Sequence, residues 1–373
     1  MSQRPNKPLV PSNIEQLSRY IAGKTIAEVE EVYKPKRIAK LASNENRLGF
    51  SPKVKESIEE ALSGAHNYPD PIARDLRKAI AIRNGVKETE VIIAAGSESI
   101  IAMLCRTFFL NKQNAITADA TFVGFFVQIG VRGAHLKKVP VTKDFRFDVK
   151  AIVNAIDEDT KMVYIANPNN PTGTYITKEE YEWMMTKIPS DVLVVMDEAY
   201  YEFAERVEDY PHALDYGHEN VIVLRTFSKA YGLAGFRVGY AIAREEIINY
   251  LLKTKLTFEP SALAQAAALA AYNDLEFLEK GLGVIEEGKH RLYAFFDKHN
   301  VEYVRSISNS VMMVFSTEEK AIVFTQSMLE KGVILRRINA FGLPKCVRIS
   351  IGLKEDMDQF EWAYEEILDS KGK

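Results

Sequence analysis

Five short, β-rich runs recur along the first two-thirds of the chain: VIIAA (91–95), NAITAD (114–119), KMVYIANP (161–168), DVLVVMDE (191–198) and NVIVLRTFS (220–228). Helical patterns lie between several of them. A strand that is apolar on both faces needs cover on both sides. Alternation with helices supplies it through crossover connections, which run strands parallel. The expected fold is therefore α/β, a mostly parallel sheet sandwiched by helices. A chain of 373 residues suits two domains. From about Glu245 the pattern changes to a long helical stretch across Ala262–Lys298. Strand-like segments VMMVFS (311–316), GVILRRI (332–338) and CVRISIG (346–352) follow, then an acidic helix. Strands grouped beside helices point to a second, smaller α+β domain. The expected division is an arm over residues 1–40 packing on the small domain, a large domain over 41–260 and a small one over 261–373. A short helix is expected around Asn13–Ala22, and a loop around Tyr33–Arg37.

The net charge of −3 gives no support for nucleic acid or an anionic membrane as partner. No apolar run reaches membrane-spanning length, and the polar, Pro-containing start MSQRPNKPLVPSN lacks the apolar centre of a secretory signal. Two cysteines, Cys105 and Cys346, cannot build a disulfide framework, so the expected compartment is the cytoplasm. The six histidines show no metal-ligand spacing, and no metal site is expected. No GxGxxG follows a strand, which argues against a dinucleotide fold.

Lys229, in TFSKAYGLAGFR (226–237), has the amine needed to hold an aldehyde, and pyridoxal 5′-phosphate is the common aldehyde cofactor held that way. Such a cofactor also needs a buried carboxylate at its ring nitrogen, donors at its phenolic oxygen, and helix-start N–H groups, hydroxyls and an arginine at its phosphate. Asp197 ends an apolar strand, where ligands bind in parallel sheets. Tyr200 follows three residues on. Asn170 stands in NPNNPTG (167–173), a loop stiffened by two Asn-Pro steps. Gly96-Ser97-Glu98 joins a strand to a helix, and Ser228 and Arg237 flank the lysine. Alone, each feature has a plainer reading: a strand-end acid, a core tyrosine, a turn, an ordinary strand–helix junction.

The ordered set NPNNPTG, DEAY and SK…GLAGFR, at intervals of about 30 residues, resembles the fold-type I, aspartate-aminotransferase-like enzymes that use pyridoxal phosphate. Within them the chain resembles the histidinol-phosphate aminotransferase family, from YIAGKT (20–25) and LASNENRLG (41–49) through NYPD (67–70) and AAGSES (94–99) to GVILRR…CVRISIG (332–352). The resemblance implies a seven-stranded sheet and a set of roles. Lys229 carries the cofactor and moves the proton between substrate Cα and cofactor C4′. Asp197 faces the ring nitrogen, Asn170 and Tyr200 the phenolic oxygen, and Phe122 the ring face. Ser97, Glu98, Ser228 and Arg237 hold the phosphate. Tyr68 reaches the cofactor of a second copy, so a homodimer is expected. Arg348 binds the substrate's carboxylate or phosphate, with Arg336 and Tyr20 beside it. The implied reaction pairs histidinol phosphate and 2-oxoglutarate with imidazole-acetol phosphate and glutamate. Relatives commonly read NENPLG where this chain has NENRLG. Arg47 is thus either a solvated loop charge or an extra cation for a second acidic group. TFVGFFVQIG (121–130) is also richer in phenylalanine than usual. An aromatic amino-acid aminotransferase, a threonine-phosphate-type decarboxylase and a binding module without catalysis are the competing readings.

Overall fold

The computed structural model describes residues 9–18, 23–110 and 112–371. After a two-residue strand β1 (Ala39–Lys40), the large domain runs through β2 (Val91–Ala94), β3 (Asn114–Ala118), β4 (His135–Val139), β5 (Thr160–Ala166), β6 (Leu193–Asp197), β7 (Val221–Thr226) and β8 (Gly239–Ala243). These seven form one sheet in the order β2-β8-β7-β6-β5-β3-β4. Every neighbouring pair is parallel except the two made by β8, which lies antiparallel between β2 and β7. Strands β2, β3, β6, β7 and β8 are buried along their whole length, as two-sided cover requires. On one face Ile100, Leu104, Phe125 and Tyr181 pack against the sheet. On the other, Val54, Leu76, Ile80, Ala267 and Ala271 do so from three helices.

Two strands escape the sequence pattern. β8 (GYAIA) begins on glycine directly behind the Lys229 segment. β4 (HLKKV) is an edge strand, half-exposed and polar. The small domain holds β9 (Tyr303–Val304), β10 (Ser310–Val314), β11 (Val333–Ile334), β12 (Arg336–Arg337) and β13 (Cys346–Ser350). Its antiparallel sheet has the order β12-β13-β10-β9, while β1 pairs in parallel with β11.

The expected boundaries need three corrections. The arm does not pack only on the small domain. Its first helix, Ser12–Glu15, lies against the large domain, where the Asn13 amide donates to the carbonyls of Gly130 (3.0 Å) and Val131 (3.1 Å). A second helix, Ile26–Tyr33, forms where no element was expected and packs Val29 against Ala42 and Ile334 of the small domain. The large domain does not stop at residue 260. The helix Ala262–Asn273 packs on Pro52–Leu62, and its alanines let the two helices approach closely. The changeover falls inside the 24-residue helix Leu275–Lys298: Leu278 belongs to the large-domain core, Ile285 and Leu292 to the small-domain core. The expected helix end at Ala22 lies outside the described residues.

Candidate active site

The C-terminal ends of the parallel strands converge on one pocket lined by Ser97, Glu98, Phe122, Asn170, Asp197, Tyr200, Ser228, Lys229 and Arg237. Each expected cofactor residue except Tyr68 is in that set. Thr226, Ala166, Pro168 and Ala199 also line it and carried no sequence signal beyond adjacency to the others.

Asp197 is the last residue of β6 and is 4% exposed. Burial pushes its carboxyl up to about 6, against the hydrogen bonds it accepts from the Tyr164 hydroxyl and the Ala199 N–H and against the charge of Lys229. Tyr164 is fully buried, and its ring stacks on Phe125 at 4.2 Å. Phe125, in the phenylalanine-rich segment, supports the wall behind Asp197 and does not offer a face to substrate. Only Phe122, at the start of the helix Val123–Arg132, reaches the pocket from that segment.

Lys229 follows β7, and its Nζ donates to the Ser43 carbonyl at 3.1 Å and lies 5.7 Å from the Tyr200 ring centre. The Thr226 hydroxyl accepts from the Ser228 N–H at 3.2 Å and fixes the turn before the lysine. Arg237 adopts a left-handed backbone (φ 55°) and donates to Ser228 Oγ (3.2 Å) and to the Ala234 carbonyl (3.0 Å). It faces Gly96, whose φ of 89° starts the helix Ser97–Phe108 with no side-chain cap. A Cβ on Gly96 would come within 2.8 Å of the guanidinium, and one on Gly239 within 2.4 Å of the Ser97 nitrogen. Two glycines therefore keep open a cradle of helix-start N–H groups, hydroxyl and arginine, the donor set a phosphate takes. With a buried carboxylate, a lysine amine and Phe122 lining the same pocket, the residues fit pyridoxal phosphate.

Arg348, on buried β13, is 5% exposed. Its Nη1 donates to the Asn170 side-chain oxygen and its Nη2 to the Ala42 carbonyl at 2.8 Å. Arg336 stands opposite it in the β12–β13 register. Tyr68 lies outside this pocket: it is 79% exposed and stacks on Phe258 at 4.2 Å. Tyr20 lies outside the described residues. Arg47 does not line the pocket: its side chain, 31% exposed, donates through Nε and Nη2 to both carboxylate oxygens of Asp356, at 3.1 and 3.4 Å, so the added cation is taken up by a loop ion pair.

Behind the pocket, sequence reasoning missed a buried pair. Arg225 donates to Glu198 at 2.9 Å and to Asn84 at 3.0 Å, and its guanidinium lies 3.3 Å from the Tyr201 ring centre. Glu198 follows the recognisable Asp197 directly. Two adjacent acids at a buried strand end were the available clue, since only one can face the ligand.

A parallel sheet carrying a lysine, an aspartate and an anion cradle at its strand ends is the arrangement of a pyridoxal-phosphate transferase. The chain belongs to the family of class I and II aminotransferases, whose sequence profile it matches over residues 36–360. It is 39% identical to the histidinol-phosphate aminotransferase of Geobacillus sp. (strain WCH70), covering 97% of this chain and 99% of that one. It is 38% identical to histidinol-phosphate aminotransferase 1 of Bacillus cereus (strain ATCC 10987), covering 98% of each. The solved structure of histidinol-phosphate aminotransferase from Sinorhizobium meliloti in complex with pyridoxal 5′-phosphate superposes with a TM-score of 0.89 at 27% identity, over 98% of this chain and 99% of that one. Among the described residues no helix is long and apolar enough to cross a membrane.

Proposed function

We propose that this aminotransferase interconverts histidinol phosphate plus 2-oxoglutarate with imidazole-acetol phosphate plus glutamate, using pyridoxal 5′-phosphate on Lys229. The observation that carries the reading is Arg348. It is a buried guanidinium, delivered by the small domain, in contact with Asn170 of the cofactor pocket. A planar fork there suits the phosphate of one substrate and the carboxylate of the other. The near-full-length likeness to the two bacterial enzymes supports the same substrate.

Bound pyridoxal phosphate supplies an aldehyde that takes the amino group and a ring that absorbs the electrons released at the substrate Cα. The chain's own residues do the rest. Lys229 Nζ would hold the cofactor by its aldehyde carbon and would carry the proton to and from the substrate Cα. Asp197, ionised, keeps a proton on the ring nitrogen. Asn170 offers its NH2 to the phenolic oxygen, since its carbonyl oxygen is engaged by Arg348. Tyr200 donates to the same oxygen, and Phe122 covers the ring. The N–H groups of Ser97 and Glu98, with Ser228 and Arg237, hold the phosphate. Tyr68 of a second copy completes that site in a homodimer, and Arg336 and Tyr20 flank Arg348 at the substrate. Free, buried Cys105 and Cys346 suit a cytoplasmic enzyme.

Turnover with histidinol phosphate, phenylalanine and tyrosine as donors to 2-oxoglutarate tests the reading. Histidinol phosphate is expected to be the best donor, and Arg348→Ala to lose most of its turnover with it. A preference for phenylalanine overturns the substrate. An undiminished Arg348→Ala variant moves the anion site elsewhere.

A further inference from the structure

Residues 42–44 touch three site residues in turn, and Asn46 holds the backbone beside Lys229. The Ala42 carbonyl accepts from Arg348 (2.8 Å), the Ser43 carbonyl from Lys229 (3.1 Å), and the Asn46 amide donates to the Ala230 carbonyl (2.8 Å). Asn44 sits in the middle, 1% exposed, with a left-handed φ of 56°. Asparagine is one of the few residues other than glycine that hold such a backbone readily. Its Nδ2 donates to the Tyr200 hydroxyl at 2.9 Å and to Ser310 Oγ at 3.1 Å. Its Oδ1 accepts from Ser350 Oγ at 2.9 Å, and its own N–H donates back to that oxygen at 2.8 Å. The Asn309 amide donates to its carbonyl at 3.0 Å. Ser310 and Ser350 face each other across β10 and β13, and Ser350 lies two residues beyond Arg348.

A phenol oxygen that accepts an amide hydrogen still has its own proton to place. Tyr200 also lines the cofactor pocket together with Lys229 and Asp197. We propose that Asn44 is a positioning residue: by donating to the Tyr200 oxygen from behind, it directs that hydroxyl to donate into the cofactor pocket. It also ties this orientation to the strand that carries Arg348. The proposal rests on Tyr200 facing the phenolic oxygen of the cofactor. A donor at that oxygen weakens its hold on the proton it shares with the Lys229 nitrogen. Losing the donor therefore raises the pH at which the Lys229-linked cofactor changes colour.

The test is a spectrophotometric pH titration of the purified holoenzyme without substrate. Tyr200→Phe is expected to raise the colour-change midpoint by about one unit, the worth of one such hydrogen bond. Asn44→Gly, which accepts the positive φ, should raise it by a smaller amount. The double variant should match Tyr200→Phe alone, because both changes act on one bond. Ser350→Ala, which frees the Asn44 amide to turn, should move the midpoint in the same direction and decides the matter if Asn44→Gly does not fold. An unmoved midpoint in Tyr200→Phe removes the assignment of Tyr200 and the proposal together. A shift in Tyr200→Phe with none in Asn44→Gly or Ser350→Ala, or shifts that add in the double variant, leaves Tyr200 in place and overturns the role of Asn44.

Discussion

Burial lifts Asp197 from an ordinary 3.8 to about 6, so folding disfavours its charge. The sign follows directly. Ionising Asp197 costs the folded protein stability as pH rises from the lower value through the higher, and the whole cost is present above both. A change from 3.8 to about 6 corresponds to up to about 3 kcal/mol. Cofactor-free Asp197→Asn should therefore resist urea better than wild type at about pH 8, match it at about pH 4, and lack transaminase activity. Equal urea midpoints at both pH values would contradict this. The same residue shows what can be read from a sequence. An acid ending an apolar strand was visible as a ligand-facing position. The partners that hold it, Tyr164 from β5 and the stack beneath it on Phe125, come from neighbouring strands and helices, and no local spacing encodes them. Asn44 was hidden for the same reason: its partners Tyr200, Ser310 and Ser350 lie more than 150 residues away.

Among the elements, the antiparallel strand β8 fixes the start of the helix Ser97–Phe108 through its first residue. Gly239 passes so close to Ser97 that any side chain would displace the helix start. Gly239→Ala should weaken pyridoxal-phosphate binding at least about tenfold while leaving the helix content unchanged, measured by cofactor titration and circular dichroism. An unchanged dissociation constant would remove Ser97 from the phosphate site. Strands β6 and β7 are locked together by Glu198 and Arg225, both buried. Burial raises the Glu198 carboxyl, and Arg225 opposes that rise. Arg225→Met leaves Glu198 buried and unpaired, so a loss of about 3–5 kcal/mol is expected in denaturant unfolding. Arg225→Met with Glu198→Gln should recover part of it. The apolar core strands β2, β3, β5, β6 and β7 were legible because two-sided burial writes itself as an unbroken apolar run. β4 and β8 were not, since an edge position tolerates lysines and a close approach demands glycine.

At the scale of the whole molecule, Tyr68 lies exposed beside Phe258, with Leu62 and Leu256 also exposed. If Tyr68 serves a second copy, inactive Lys229→Ala and impaired Tyr68→Ala dimers should complement each other when mixed, dissociated and reassembled. Each mixed dimer then has one complete site, so activity should return to about a quarter of wild type. No recovery would place Tyr68 outside the neighbouring site. The domain division was legible only in outline. A change of pattern near Glu245 announced a second domain, but the allegiance of the helix Ala262–Asn273 depends on which helices receive its alanines. The helix Leu275–Lys298 belongs to both halves, with Leu278 in one core and Ile285 two turns later in the other. Its 24 residues make a rod of about 36 Å. Neither half can melt without fraying the rod that anchors its neighbour, so heating should destroy both together. Scanning calorimetry should record one endotherm, with equal calorimetric and van't Hoff enthalpies.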